Sequence, residues 1–133
     1  MQITSVPIIT DPILDMKVLV VHRTGDAGIY AMISGYLDIL GIPYDTLLAD
    51  SALPAGTLDA NDLWDGDHHG YYYALFFSSS AAWANIHADD KVDIETYEAA
   101  FDVRRVTWYA YPNVTDHGLN FVQFVAGYND PAC

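Results

Sequence analysis

The sequence predicts an α/β domain built on a mainly parallel sheet. Three observations carry that prediction. Val18 to His22 ("VLVVH") is a continuous apolar run with three β-branched residues, the pattern of a strand buried on both faces. It is followed by a glycine-containing turn, a run with helical spacing and a second strand-like segment. Tyr71 to Ser78 ("YYYALFFS") and Val106 to Tyr111 ("VTWYAY") repeat the non-alternating type further along.

Residues 1–16 carry Pro7 and Pro12 among apolar residues, which predicts an extended lead-in to a single domain over 17–133. After the first strand, Thr24-Gly25-Asp26-Ala27-Gly28 supplies turn chemistry, with Asp26 as candidate N-cap. Ile29, Met32, Ile33, Tyr36, Leu37 and Leu40 then recur at spacings of three and four, a helical face. Gly41 is the expected stop and Pro43 blocks continuation. Tyr44 to Leu48 is the second strand, completing a βαβ unit.

Asp50 to Gly70 reads as a polar connection rich in turn residues, with Pro54, three Gly and five Asp. The third strand, Tyr71 to Ser78, ends in a run of serines. A helix is expected to open near Asp93, with Asp90 and Asp93 favouring its positive end and Ile94, Tyr97, Glu98, Phe101 and Val103 on its face. The fourth strand is stopped by Pro112-Asn113. Residues 120–128 ("NFVQFVAGY") alternate loosely and read as an antiparallel edge strand, because only about ten residues link them to the fourth strand, near the minimum for a parallel crossover.

Composition narrows the partners. Eighteen acidic against five basic residues give a formal charge of −13. Such a surface repels nucleic-acid phosphates and anionic lipid, so neither nucleic acid nor membrane is an expected partner. Hydrophobic residues make up 52% of the chain and aromatic residues 14%, which suits a folded core rather than a disordered chain. Cys133 is the one cysteine, so an internal disulfide and a thiolate zinc site are ruled out. The start of the chain, "MQITSVPIITDPILD", lacks the basic segment and long apolar core of a secretory signal.

Open parallel sheets bind ligands at the carboxyl ends of their strands. That edge gathers His22, Arg23, Thr24 and Asp26 from the first loop, Ser78 and Ser79 from the third, and Tyr111 and Asn113 from the fourth. These are the candidate ligand-binding residues. "HRTGDAG" lacks the Lys and Ser/Thr of a phosphate loop and holds only a G-x-x-G, for which a tight turn is the simpler account. "FFSSSAAW" occupies the place of a nucleophile turn without the glycines that a nucleophile elbow requires, and no histidine is aligned with it in sequence. "DLWDGDHHG" offers Asp62, Asp65, Asp67, His68 and His69, yet fits neither the calcium-loop pattern nor a chelating H-x-x-x-H, so a solvated acidic loop is expected. No catalytic residue, metal or cofactor is assigned. Tyr71, Tyr72, Tyr73, Trp83, Trp108, Tyr109 and Tyr111 are expected mainly in the core, with glycan stacking as the competing role. Asn113-Val114-Thr115 is an N-glycosylation acceptor.

The stretch "KVLVVHRTGDAGIYAMISGYLDILGIPYDTL", with "GYYYALFFSSS" and the Tyr97, Phe101, Val103, Arg104 and Pro112 pattern, resembles one family over roughly residues 17–113. It is similar to the N-terminal, amidotransferase-like domain of fungal secreted galactosaminogalactan (polysaccharide) deacetylases. The resemblance implies a flavodoxin-like, class I glutamine amidotransferase-like three-layer sandwich and an extracellular or cell-surface setting. It also implies polysaccharide and neighbouring domains of a parent enzyme as partners. The metal-dependent deacetylase domain of that family carries paired Asp and H-x-x-x-H ligands, and neither set occurs here. The amidotransferase cysteine is absent as well. The expected role is therefore a non-catalytic accessory domain; a hydrolase using Ser79 or Ser80 and a small-molecule module at the Gly25–Gly28 turn are the alternatives.

Overall fold

A computed structural model describes residues 8–109. In chain order the elements are β1 (Ile13–Leu14), β2 (Val18–His22), α1 (Ala27–Leu40), β3 (Tyr44–Leu48), α2 (Ala60–Leu63), β4 (His69–Gly70), β5 (Ala74–Ser79), α3 (Ser80–Ala84), α4 (Ala88–Phe101) and β6 (Arg104–Tyr109). The main sheet has the order β3-β2-β5-β6 with every neighbour parallel. The chain is thus α/β with a parallel sheet, as its apolar runs predict. Among the described residues no helix is long and apolar enough to cross a membrane.

Strand alternation sorts the core into two sides. Leu19, Val21, Leu75 and Phe77 point toward α2, α3 and α4, where they meet Leu63, Trp83, Ile94, Tyr97 and Phe101. Val18, Val20, Ala74 and Phe76 point the other way, toward Ile29, Ile33 and Leu37 of α1. Among the described residues, helices therefore lie on both faces, three on one and one on the other. Gly41 ends α1 in the left-handed conformation, φ 70°, where glycine escapes the Cβ penalty.

Several boundaries differ from the sequence reading, each for a tertiary reason. The third strand begins at Ala74 rather than Tyr71. Tyr71 N–H donates to Leu63 O (2.8 Å) and Tyr73 N–H to Lys17 O (3.0 Å), while the Tyr72 hydroxyl donates to Asp45 (2.7 Å). The Tyr97 hydroxyl bonds both backbone groups of Tyr72. The three tyrosines form a sewn-in approach to the sheet, not alternating strand residues. The second long helix opens at Ala88, not near Asp93, because the His87 ring accepts from Asp89 N–H (3.1 Å) as N-cap. Asp90 does not act on that helix end alone: its buried carboxylate accepts from Gly56 N–H (2.9 Å) and Leu58 N–H (3.1 Å). Asp102, in the left-handed conformation, closes the helix, so Val103 lies beyond it. The polar connection contains α2, opened by an Asp59–Asp62 capping box, and β4, which pairs in parallel with β1 at the end of the lead-in. The fourth strand runs Arg104–Tyr109; residues 110 and 111 of the expected strand, and the edge strand expected over 120–128, lie outside the described residues.

Two glycines yield opposite expectations for replacement. A Cβ at Gly70 would stand 2.6 Å from both Leu14 Cδ2 and the Tyr97 hydroxyl, closer than any real contact. Gly35, inside α1, has open space around it. Gly70→Ala should lower unfolding free energy by about 2 kcal/mol or more through overpacking, and Gly35→Ala should raise it by about 0.5–1 kcal/mol. Urea denaturation of the two variants measures both signs.

Glu98 sits on the buried stripe of α4, its side chain 14% exposed, with Arg105 Nε 3.5 Å from its carboxylate. Burial pushes its pKa up to about 7 against the pull of Arg105, whose guanidinium lies 3.7 Å over the Trp83 ring. A raised folded pKa means the favourable contribution is complete below the unfolded value of 4.5 and is lost as pH climbs through 7. Wild-type stability should fall by on the order of 2 kcal/mol across that window. Glu98→Gln should flatten this limb in denaturation curves taken from pH 4.5 to 7.5.

Candidate functional site: the switch-point edge

β2 has β3 on one side and β5 on the other, so the connections leaving β2 and β5 diverge between them. In open α/β sheets this is where ligands bind. The structure brings five of the sequence-predicted residues together there: Arg23, Thr24, Asp26, Ser78 and Ser79.

Asp26 is the centre. It precedes α1 but makes no side-chain capping bond to it. Its carboxylate instead crosses to β5. Oδ2 accepts from Ser78 Oγ (2.8 Å), Ser79 Oγ (2.8 Å) and Arg23 Nε (3.0 Å), and Oδ1 accepts from Arg23 Nη2 (3.2 Å). The Arg23 guanidinium, with help from both hydroxyls, holds the Asp26 pKa down to about 2 against the opposing cost of burial. Ser78 and Ser79 are buried. Ser79 also N-caps α3, accepting from Ala82 N–H at 3.3 Å.

A second carboxylate joins the edge from the residues just after β3. Asp50 accepts from Thr24 N–H (2.6 Å) and Thr24 Oγ1 (2.7 Å), and these bonds lower its pKa. Asp50 was absent from the sequence-derived set. Its signal was positional, since a polar residue two places past a parallel strand falls on the same edge as the loops after the neighbouring strands. His22 stands apart from the serines in its bonding and stacks on Tyr30, centroids 4.0 Å apart. Burial lowers its pKa, outweighing the pull of Asp50 and Asp26.

The bonding of Ser78 and Ser79 is poorly suited to nucleophilic chemistry. A nucleophile elbow places its residue in a strained turn, but Ser79 is fully extended, φ −158° and ψ 167°. Among the described residues, the bonds of Ser78 and Ser79 go to a carboxylate and a backbone amide, not to an imidazole. A carboxylate with a pKa near 2 is too weak a base to activate a hydroxyl at neutral pH. What the edge leaves outward is a polar rim of Thr24, Gly25 and Asp50, all exposed. Gly28 lies within α1 in open space, so the G-x-x-G pattern reflects no crowding at its second glycine.

The other sequence candidates separate. Asp65 Oδ1 accepts the backbone N–H groups of Asp67, His68 and His69 within its own turn. His68 pairs with Asp67 (2.9 Å) and His69 with Asp15 (2.8 Å). Among the described residues no group of three or more His, Cys, Asp or Glu is placed to hold a metal ion. Tyr72 and Trp83 are core residues, whereas Trp108 is exposed. Tyr111 and Asn113 lie outside the described residues.

Compared with known proteins, the chain matches no family model, no curated protein and no solved structure.

Asp26→Ala would leave two buried hydroxyls and a guanidinium without their shared acceptor. A loss of about 2–3 kcal/mol is expected in thermal or urea unfolding. Because the folded pKa of Asp26 is depressed, wild type should keep this contribution above pH 3.8 and lose it as pH falls toward 2. The alanine variant should lack that acid limb.

Proposed function

We propose that this chain is a non-catalytic accessory domain of flavodoxin-like fold, related to the N-terminal domain of secreted polysaccharide deacetylases, that scaffolds its neighbours and contacts glycan at the switch-point edge. One observation carries the reading: Ser78 and Ser79, at the end of β5, both donate to an Asp26 carboxylate held ionised, so the place where this fold class puts its chemistry is occupied by a structural lock. The strand order supports the fold assignment. Numbered within the main sheet, it is 2-1-3-4, which agrees with the first four strands of the flavodoxin-like order 2-1-3-4-5.

The exposed rim favours a neutral polyhydroxylated ligand over an anion. Asp50 and Asp26 bring two negative charges to the edge, and Arg23 is already paired with Asp26. Carboxylates and amides facing solvent suit hydroxyl groups as partners.

The isolated protein, incubated with N-acetylhexosamine oligomers, should release no acetate with or without divalent metal, and a serine-directed phosphonate should leave Ser79 unlabelled. Metal-dependent acetate release or a Ser79 adduct overturns the non-catalytic assignment. Titration with the same oligomers should shift the amide resonances of Thr24 and Gly25. Unchanged resonances remove the glycan role and leave the scaffold.

A further inference from the structure

The two faces of the sheet are unequally covered. Among the described residues, α2, α3 and α4 pack on one side and α1 is the helix on the other. A helix is about 10 Å wide and a four-stranded sheet about 19 Å, so one helix covers roughly half the face. Among the described residues, the half left uncovered lies over β5 and β6. There Met32, Ile33, Tyr36, Leu37, Phe76 and Trp108 line an apolar cavity of 160 Å³. Trp108, 55% exposed, stacks over Phe76 at 6.3 Å, and Val106 continues its row along β6.

α1 itself is unlike a solvent-facing helix. It has one charged residue, Asp38, in fourteen, where an exposed helix carries a charged outer face. Tyr36, Ile39 and Leu40 stand outward at 62%, 80% and 67% exposure, and spacings of three and four place them in one stripe. The same molecular face therefore bears both an apolar ridge and an apolar groove.

We propose that this face is a homodimer interface, in which the α1 ridge of each copy fills the groove over β5–β6 of the other. Ridge and groove on a single face are self-complementary, as a two-fold contact requires. Charge selects the same occupant. The chain carries −13 overall, so most surfaces of two copies repel. Among the residues of α1 and the alternating set Arg104, Val106 and Trp108 of β6, one carboxylate and one guanidinium balance to zero. Tyr36, Ile39, Leu40, Val106 and Trp108 together expose about 600 Å², at about 200 Å² for a large side chain. That supplies the apolar centre of an interface of about 800 Å² per partner, with the polar rim completing it.

Sedimentation of the whole chain from about 1 to 100 μM, with reductant present to keep Cys133 from cross-linking, tests the proposal. Twice the 14.7 kDa chain mass is expected at the upper end. Ile39→Glu introduces a charge into the ridge at a position too exposed to disturb the fold, and should weaken association at least thirtyfold with an unchanged circular dichroism spectrum. Val92→Glu alters an equally apolar but exposed residue of α4 on the opposite side and should leave association intact. A wild-type chain monomeric throughout, a dimer insensitive to Ile39→Glu, or equal loss in both variants overturns the proposal.

Discussion

The Asp26 carboxylate, with four hydrogen bonds from Arg23, Ser78 and Ser79, is the constraint around which the carboxyl edge of this domain is organised. Parallel strands are held laterally by their ladders, but nothing in a ladder dictates how the loops at its end sit. Asp26 ties the β2 loop to the end of β5, and Asp50 ties the same loop to the end of β3. Three strand ends are thereby locked by two acids. A half-buried carboxylate is tolerated here because every donor aimed at it is charged or otherwise unsatisfied.

The lock has a functional consequence. A strand-to-helix turn in this fold class presents a reactive group by holding it in strain and leaving it open to a base. Here the turn is extended, the hydroxyls are buried, and their protons point at an acid that remains ionised. The same contacts that stabilise the edge leave Ser78 and Ser79 without a base to activate them.

Coverage of the sheet adds a second constraint. Trp83, Tyr97 and Phe101 close one side well, with Gly70 giving Tyr97 the room its hydroxyl needs to bond Tyr72. Across the sheet, α1 is the helix among the described residues and is too narrow to close that face by itself. Among the described residues this leaves apolar surface open beside a helix with a single charged residue, which is costly in water, and the proposed association rests on that imbalance.

The amino-acid order by itself determined the βαβ unit, the parallel character of the sheet and the stop at Gly41, because runs such as Val18–His22 and the three-and-four spacing of Ile29–Leu40 are local properties that few alternatives satisfy. It also located the edge where Arg23, Thr24, Asp26, Ser78 and Ser79 would meet. Only the tertiary structure decided what those residues do. Asp26 looks like a helix cap in sequence and becomes a cross-strand acceptor because Ser78 and Ser79, fifty residues on, come within 2.8 Å. Tyr71–Tyr73 look like strand and become an anchored approach because Tyr97 and Leu63 claim their backbone. His87 opens α4 although the apolar pattern surfaces only at Ile94. In each case the deciding partner is remote in sequence, and hydrogen-bond choice between remote groups leaves no periodic trace in the chain.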